Sequence, residues 1–157
     1  DEAIALKFEP VHHAAARGEY DGWAASAEGA LALLILLDQF PRNLYRGSAH
    51  AFATDPKALT IARAAIERGH DRTVEPLLRR FFYLPFEHSE VLADQDEAMR
   101  LFAVMKDEIG DADSLNWAKI HWDIIDRFGR FPHRNACLGR ESTAEELAFL
   151  ADGGFSG

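Results

Sequence analysis

The sequence is poor in cysteine and lacks the short motifs that mark the common nucleotide, hydrolase and zinc sites. Its 157 residues include one cysteine, Cys137, so an intrachain disulfide framework is excluded and a reducing cytoplasm is the expected location. The phosphate loop, the dinucleotide glycine fingerprint, the Gly-x-Ser-x-Gly elbow and the His-Glu-x-x-His motif are all absent. We therefore predict no cofactor and no metal site.

Basic residues and long apolar runs are also scarce. The 17 Lys and Arg residues are outnumbered by 26 Asp and Glu, and the net charge of −9 repels nucleic-acid phosphates and anionic membrane surfaces. The longest apolar run, residues 30–37, is far shorter than the roughly 20 residues of a membrane-spanning helix. We expect a soluble protein without a nucleic-acid or membrane partner, and the oligomeric state stays open.

The length predicts a single domain that comprises residues 1–157. Because the helical pattern is already under way at Asp1, we expect the natural protein to be longer at its N-terminus.

Alternating β-branched runs are absent, whereas apolar residues recur at helical spacing almost everywhere. The predicted fold is all-α, with seven or eight helices stacked as antiparallel hairpins. Glycine, proline and capping residues set the predicted boundaries. The first predicted helix ends at Arg17-Gly18, and the second comprises Asp21–Phe40. A short helical piece at Ala49–Ala53 is followed by a helix from Asp55-Pro56 to Arg68-Gly69 and by Val74–Leu84, which Pro85 ends. The last three are Ser89–Ile109, a helix that Asp113 caps and that ends at Phe128, and a helix that begins at a Ser142–Glu145 capping box.

A six-residue phrase occurs nearly twice, as DQFPRN at 38–43 and as RFPHRN at 130–135. We predict that each copy closes an apolar helix at its aromatic-proline pair. Arginine and asparagine would then stand where helical hydrogen bonding has stopped, which favours a polar site. Asp38 also continues the apolar stripe of Leu31 and Leu34, so its carboxylate should be buried and should need an arginine partner.

The second copy lies in a cluster of cations: Arg127, Arg130, His133 and Arg134 fall within nine residues. The paired N–H donors of arginine guanidinium groups, together with exposed backbone N–H groups in a turn that contains glycine, favour an anion site. Alternatively, the nearby phenylalanines anchor the loop and the arginines pair with the chain's many acids. The candidate ligand-binding residues are Arg42, Asn43, Arg80, Arg127, Arg130, Arg134, Asn135 and Arg140.

Four residues are catalytic candidates: Asp38, Glu87, His88 and His133. Adjacent glutamate and histidine side chains suit either acid-base chemistry or divalent metal ligation, and the missing motif spacing argues against the metal. His121 is a secondary candidate, because it lies on the apolar side of its helix and either is a satisfied core histidine or faces a polar pocket.

Three stretches resemble, in the same order, the bacterial family called domain of unknown function 924. They are Leu36–Asn43 with Arg46-Gly47, Phe82–Glu90, and Arg127–Asn135 with Leu138–Arg140. The resemblance implies a TPR-like all-helical fold and no established activity. It also implies additional aromatic-rich N-terminal sequence, which this chain lacks.

We expect the helix ends that carry these candidates to converge on one rim, which leaves three functions open. The preferred one is a ligand-binding or protein-interaction module whose arginine-rich polar pocket holds a small acidic ligand or peptide. The second is a hydrolase or transferase that uses Glu87, His88 and His133 for acid-base chemistry. The third is a structural clasp of paired charges.

Overall fold

The structure, a computed structural model, describes residues 2–157; the predicted helical start at Asp1 lies outside the described residues. These residues form helices and turns, and no strand occurs among them. The α-helices are α1 (Glu2–Ala16), α2 (Ala27–Leu34), α3 (Phe40–Leu44), α4 (Asp55–Glu67), α5 (Arg80–Glu87), α6 (Leu92–Ile109), α7 (Ala112–Phe128) and α8 (Ala144–Ala151). A π-helical segment, Ile35–Gln39, joins α2 to α3 without a break. The prediction of an all-α fold is confirmed.

The chain divides into two compact units. Unit 1 holds the residues up to Arg46 together with His50–Pro85, and unit 2 holds Gly47–Ala49 and Phe86–Gly157. Each unit is described by itself. The TPR-like stacking of the helices stays a prediction.

The predicted helix ends at Gly18 and Gly69 are confirmed. Both glycines have positive φ angles, 87° and 74°, in the left-handed region that glycine adopts without steric cost. Each therefore stops its helix where the sequence indicated.

The predicted helix Asp21–Phe40 is wrong at both of its ends. It begins with a separate 3-10 turn, Asp21–Ala25, after which Ser26 caps α2 by accepting a hydrogen bond from the Gly29 N–H. At the other end the helix does not stop before Pro41 but runs through the π segment into α3. Two residues predicted to lie beyond the helix, Arg42 and Asn43, are therefore inside it.

The π segment explains how Pro41 is accommodated. Proline supplies no N–H to the carbonyl groups one turn earlier, and its ring crowds them. Here the turn is widened, and side chains donate to those carbonyl oxygens instead. Thr54 Oγ1 donates to the Leu37 oxygen at 2.5 Å, and Nδ1 of the buried His12 lies 2.8 Å from the Leu36 oxygen. Tertiary partners thus replace the missing backbone donor.

Pro85 does not end its helix either, contrary to the prediction of Val74–Leu84. A 3-10 turn, Pro76–Arg79, leads into α5, and α5 continues through Pro85 to Glu87. An internal proline costs about 3 kcal/mol. Burial of a large apolar side chain contributes about 1.5–3 kcal/mol, and α5 buries three aromatic residues completely or nearly so: Phe82, Tyr83 and Phe86.

Unit 2 is built on a helical hairpin. Only Gly110 and Asp111 separate α6 from α7, so the two helices pack antiparallel. The apolar core of this unit contains Ile124, Ile125 and Phe131, with partly buried aromatic rings against it.

Three predicted helix starts in unit 2 are displaced along the chain. α6 begins at Leu92, not at Ser89. The cap of α7 is Asp111, which accepts a hydrogen bond from the Ser114 N–H, and not Asp113. The cap of α8 is Thr143, which accepts from the Glu146 N–H, and not Ser142. At α7 and α8, neighbouring residues with similar capping ability leave a choice of one or two residues to tertiary contacts.

None of the helices described between residues 2 and 157 combines the length and the apolar character that crossing a membrane requires.

Candidate functional site

Asp38 lies in a closed ion-pair network in unit 1. The residue is 1% exposed, and its Oδ2 accepts a hydrogen bond from Gln39 Nε2 at 2.7 Å. Arg42 Nη1 lies 3.3 Å from Asp38 Oδ1. The same guanidinium donates to both carboxylate oxygens of Asp55, at 2.8 and 2.9 Å. Arg42 is therefore the arginine partner that the burial of Asp38 required, and Asp55 makes the pair bidentate.

The other two unit 1 candidates have backbone partners. The exposed Asn43 donates through Nδ2 to the Gln39 oxygen at 3.1 Å. Arg80 donates through Nε to the Leu77 oxygen at 3.0 Å. These side chains and the Asp38 network belong to unit 1, and the remaining candidates belong to unit 2. Their common rim stays a prediction.

In unit 2, Arg140 forms a bidentate pair with Glu90, at 2.8 and 2.9 Å. Glu90 Oε1 also accepts a hydrogen bond from the Phe131 N–H at 2.9 Å. Burial favours the neutral form of the Glu90 carboxyl, but the hydrogen bonds from Arg140 and Phe131 outweigh it and hold the pKa of Glu90 below its ordinary value. The Arg140 guanidinium is thus occupied by a charged partner.

Arg130 is paired in the same manner with Glu146, which is 3% exposed. The Nε and Nη2 atoms of Arg130 donate to the two carboxylate oxygens of Glu146 at 3.0 and 3.1 Å. Asn135 Nδ2 donates to Glu146 Oε2 at 2.5 Å. The hydrogen bonds from Arg130 lower the pKa of Glu146 from its ordinary value. On the surface, Arg127 bonds the exposed Glu145 at 2.9 Å.

A second polar group in unit 2 brings together the remaining candidates, and we call it the histidine cluster: Glu87, His88, His121, His133 and Arg134. The first two come from the end of α5 and the residue after it. His121 lies in α7, and the last two lie in the short 3-10 helix that follows α7. Four candidates predicted from two separate motifs therefore lie near His121, which was only a secondary candidate.

His121 occupies the centre of the histidine cluster and is 7% exposed. Its Nδ1 lies 2.8 Å from the Trp117 carbonyl oxygen and 3.0 Å from Glu87 Oε1. A carbonyl oxygen only accepts, so Nδ1 carries the ring proton and the unprotonated nitrogen is Nε2. Within the part of the chain that the structure describes, His121 Nε2 makes no hydrogen bond.

Aromatic rings flank this centre. The ring centroid of His121 lies 4.7 Å from that of Phe155, 5.5 Å from that of Phe131 and 6.1 Å from that of His88. His133 packs edge-on against Phe155 at 5.2 Å. Imidazoles and apolar rings are thus close neighbours in this part of unit 2.

Arg134 is the cluster's permanent cation. Its Nη2 donates to the His88 backbone oxygen at 2.9 Å, and its guanidinium carbon lies 4.5 Å from the Phe131 ring centroid. Burial lowers the pKa of His121 to about 3, and the nearby His88, Arg134 and His133 act in the same direction. The His121 ring is therefore neutral at physiological pH and sits in a field of cationic and cation-capable groups.

Sequence reasoning missed several partners in these networks. Gln95 is fully buried, and its Nε2 donates to the backbone oxygens of Glu87 and Ser89, both at 2.7 Å. Phe155 carried no signal, because a glycine-rich tail shows no periodicity. Glu146 did carry a sequence signal, because it lies three residues after Thr143, which is the spacing of a capping box. Its carboxylate, however, accepts hydrogen bonds from Arg130.

The arrangement suits proton transfer and anion binding more than metal ligation. No group of three or more His, Cys, Asp or Glu side chains in residues 2–157 is placed to hold a metal ion. Imidazole nitrogens, a buried carboxylate and a fixed guanidinium are the groups that acid-base chemistry and anion recognition use.

The sequence matches, over residues 1–154, the family described as "Bacterial protein of unknown function (DUF924)". A solved structure, that of a protein of unknown function from Agrobacterium tumefaciens, is 51% identical to this chain with a TM-score of 0.89. The alignment covers 97% of this chain and 84% of that one. No curated protein matches the sequence significantly. The chain belongs to the bacterial family of unknown function DUF924.

Proposed function

We propose that this protein is a ligand-binding protein and that the histidine cluster of unit 2 binds a small anion. The observation that carries the proposal is the grouping of His88, His133 and the Arg134 guanidinium beside the buried ring of His121. Imidazoles and guanidinium groups are the usual donors to carboxylate and phosphate oxygens.

Three other candidate arginines are bound in ion pairs, which supports a structural role for them. Arg42, Arg130 and Arg140 each donate to both oxygens of a carboxylate, namely Asp55, Glu146 and Glu90. A ligand would have to displace that carboxylate and leave it partly buried without its cation, which costs several kcal/mol. We infer that these three pairs stabilise the fold and do not take part in ligand binding.

The surroundings also indicate what the anion carries. The apolar rings of Phe131 and Phe155 lie next to His121, at 5.5 and 4.7 Å between centroids. A carboxylate or phosphate next to an aliphatic or aromatic part would use the donors and the rings together. Small organic acids and phosphate monoesters are therefore the proposed ligand class.

Thermal denaturation in the presence of inorganic phosphate, succinate and benzoate tests the proposal. At 100 times the Kd, a ligand stabilises the folded state by about 2.7 kcal/mol. We expect at least one of these anions to produce a saturable rise in Tm. The rise should be reduced in His133→Gln, which replaces an imidazole that can become cationic by a neutral amide of similar volume, and kept in Arg127→Ala, which removes an exposed arginine outside the histidine cluster.

Two results would overturn the proposal. One is the absence of a saturable shift with any of the three anions. The other is an equal shift in the wild type and in His133→Gln, which would place the bound anion elsewhere.

A further inference from the structure

The geometry points to His121 as a general base: we propose that its Nε2 takes a proton from water that attacks a carboxylic ester, with Glu87 as the positioning residue. The inference rests on the proposed function, because the ester must carry the anionic group that the histidine cluster binds. It adds a reaction and assigns each residue a separate role.

The tautomer of His121 is the first step of the argument. Nδ1 faces two oxygens, Trp117 O at 2.8 Å and Glu87 Oε1 at 3.0 Å. Because the backbone oxygen has no proton to give, both contacts require a proton on Nδ1. Nε2 is then left with a lone pair, and a general base needs that lone pair directed at the reacting group.

Glu87 is held in place from behind. Glu87 is 3% exposed and is the last residue of α5. Its backbone oxygen accepts a 2.7 Å hydrogen bond from Nε2 of the fully buried Gln95. A carboxylate fixed against Nδ1 selects the ring orientation and stabilises the imidazolium that forms when Nε2 gains a proton. Glu87 therefore acts through His121.

The titratable and charged groups next to His121 come from two parts of the chain. Glu87 and His88 come from α5 and the residue after it, and His133 and Arg134 from the turn after α7. The Arg134 charge favours negative charge on an attacked carbonyl oxygen. A bound anion supplies negative charge that offsets Arg134 and the imidazoles, and so makes proton uptake by His121 easier.

The proposed step balances with water as the co-reactant. One O–H bond of water breaks, its proton moves to Nε2, and the water oxygen forms a bond to the ester carbonyl carbon. The bond between that carbon and the leaving oxygen then breaks, and the leaving oxygen takes the proton back from the imidazolium. The products are a carboxylic acid and an alcohol, and His121 returns to its neutral form.

The first test is spectroscopic. Two-bond ¹⁵N–¹H correlation spectra of ¹⁵N-histidine-labelled protein identify which ring nitrogen of His121 is protonated. We expect the Nδ1–H tautomer at neutral pH. An Nε2–H tautomer would overturn the assignment of the base.

The second test separates the reaction from binding. Hydrolysis of mono-para-nitrophenyl succinate is followed in the wild type, in the near-isosteric Glu87→Gln and in Glu145→Gln, an exposed glutamate of the same unit. General-base catalysis contributes about 100-fold or more. We expect Glu87→Gln to lower kcat by a factor of that order with a succinate-induced shift in Tm at least as large as in the wild type, because a negative charge near the anion is removed, and Glu145→Gln to match the wild type.

The outcomes distinguish the two proposals. Succinate binding without any hydrolysis, or hydrolysis that is equal in Glu87→Gln, overturns the general base and leaves the binding site standing. A missing succinate shift in the wild type overturns the proposed function itself. If Glu87→Gln does not fold, the tautomer of the wild-type His121 still decides the assignment.

Discussion

Nδ1 of His121 lies 3.0 Å from Oε1 of Glu87, and both residues are buried, at 7% and 3% exposure. A core histidine satisfied only by its own helix would need nothing beyond the Trp117 oxygen. Here Oε1 of Glu87, from another helix, lies close to the same nitrogen, while the hydrogen bond to the Trp117 oxygen places the ring proton on Nδ1.

The first prediction concerns the stability of the protein below neutral pH. The pKa of His121 is lowered from 6.5 to about 3 by burial, so between these values the unfolded chain binds a proton that the folded protein does not. The free energy of unfolding therefore falls as the pH falls through this window, by about 1.4 kcal/mol per pH unit from this group.

Urea denaturation at several pH values between 4 and 7 measures this dependence in the wild type and in His121→Gln. The difference in the free energy of unfolding between the two proteins should change with pH in the direction given above. His12, whose pKa burial also lowers, is present in both proteins and cancels. Parallel pH profiles would show that His121 is not held neutral.

The second prediction concerns the Asp38 network. Arg42→Ala leaves Asp38, at 1% exposure, without its guanidinium partner, and we expect a loss of about 3–5 kcal/mol in the free energy of unfolding. Arg127→Ala, which breaks an exposed pair with Glu145, should cost about 1 kcal/mol or less. Guanidinium denaturation compares both with the wild type. Equal small losses would mean that the network contributes little.

The third prediction uses two adjacent glutamates in the first turn of α8. Glu146→Gln weakens the bidentate pair with Arg130 and disturbs the bond from Asn135, so we expect a loss of about 1.5–3 kcal/mol in stability. Glu145→Gln changes an exposed pair and should cost less than about 1 kcal/mol. Chemical denaturation of the two variants gives the comparison, and the reverse order would contradict the structure.

The fourth prediction concerns the π segment. Thr54→Val preserves the shape of the side chain but removes the donor to the Leu37 oxygen, and an unsatisfied carbonyl in this setting costs about 1–3 kcal/mol. Thr60→Val is the matched control, because the Thr60 hydroxyl bonds the exposed Pro56 oxygen within a helix turn and water replaces it. We expect the Tm to fall clearly in the first variant and only slightly in the second. Equal shifts would show that Thr54 does not compensate for Pro41.

Local sequence signals succeeded where the structure depends on neighbours along the chain. The glycine ends at Gly18 and Gly69 follow from backbone conformation alone, and they appear where expected. The two proline rules failed, at Pro41 and Pro85, because distant side chains and aromatic burial compensated for the local cost.

Periodicity and composition are local properties, and they are enough to show that the chain is helical and acidic and carries arginines and histidines at helix ends. Which arginine pairs with which carboxylate, and which histidine lies against Glu87, is set by the tertiary structure. That choice depends on contacts between residues tens of positions apart, such as the 34 that separate Glu87 from His121. A pattern along the chain does not encode those distances, whereas packing does.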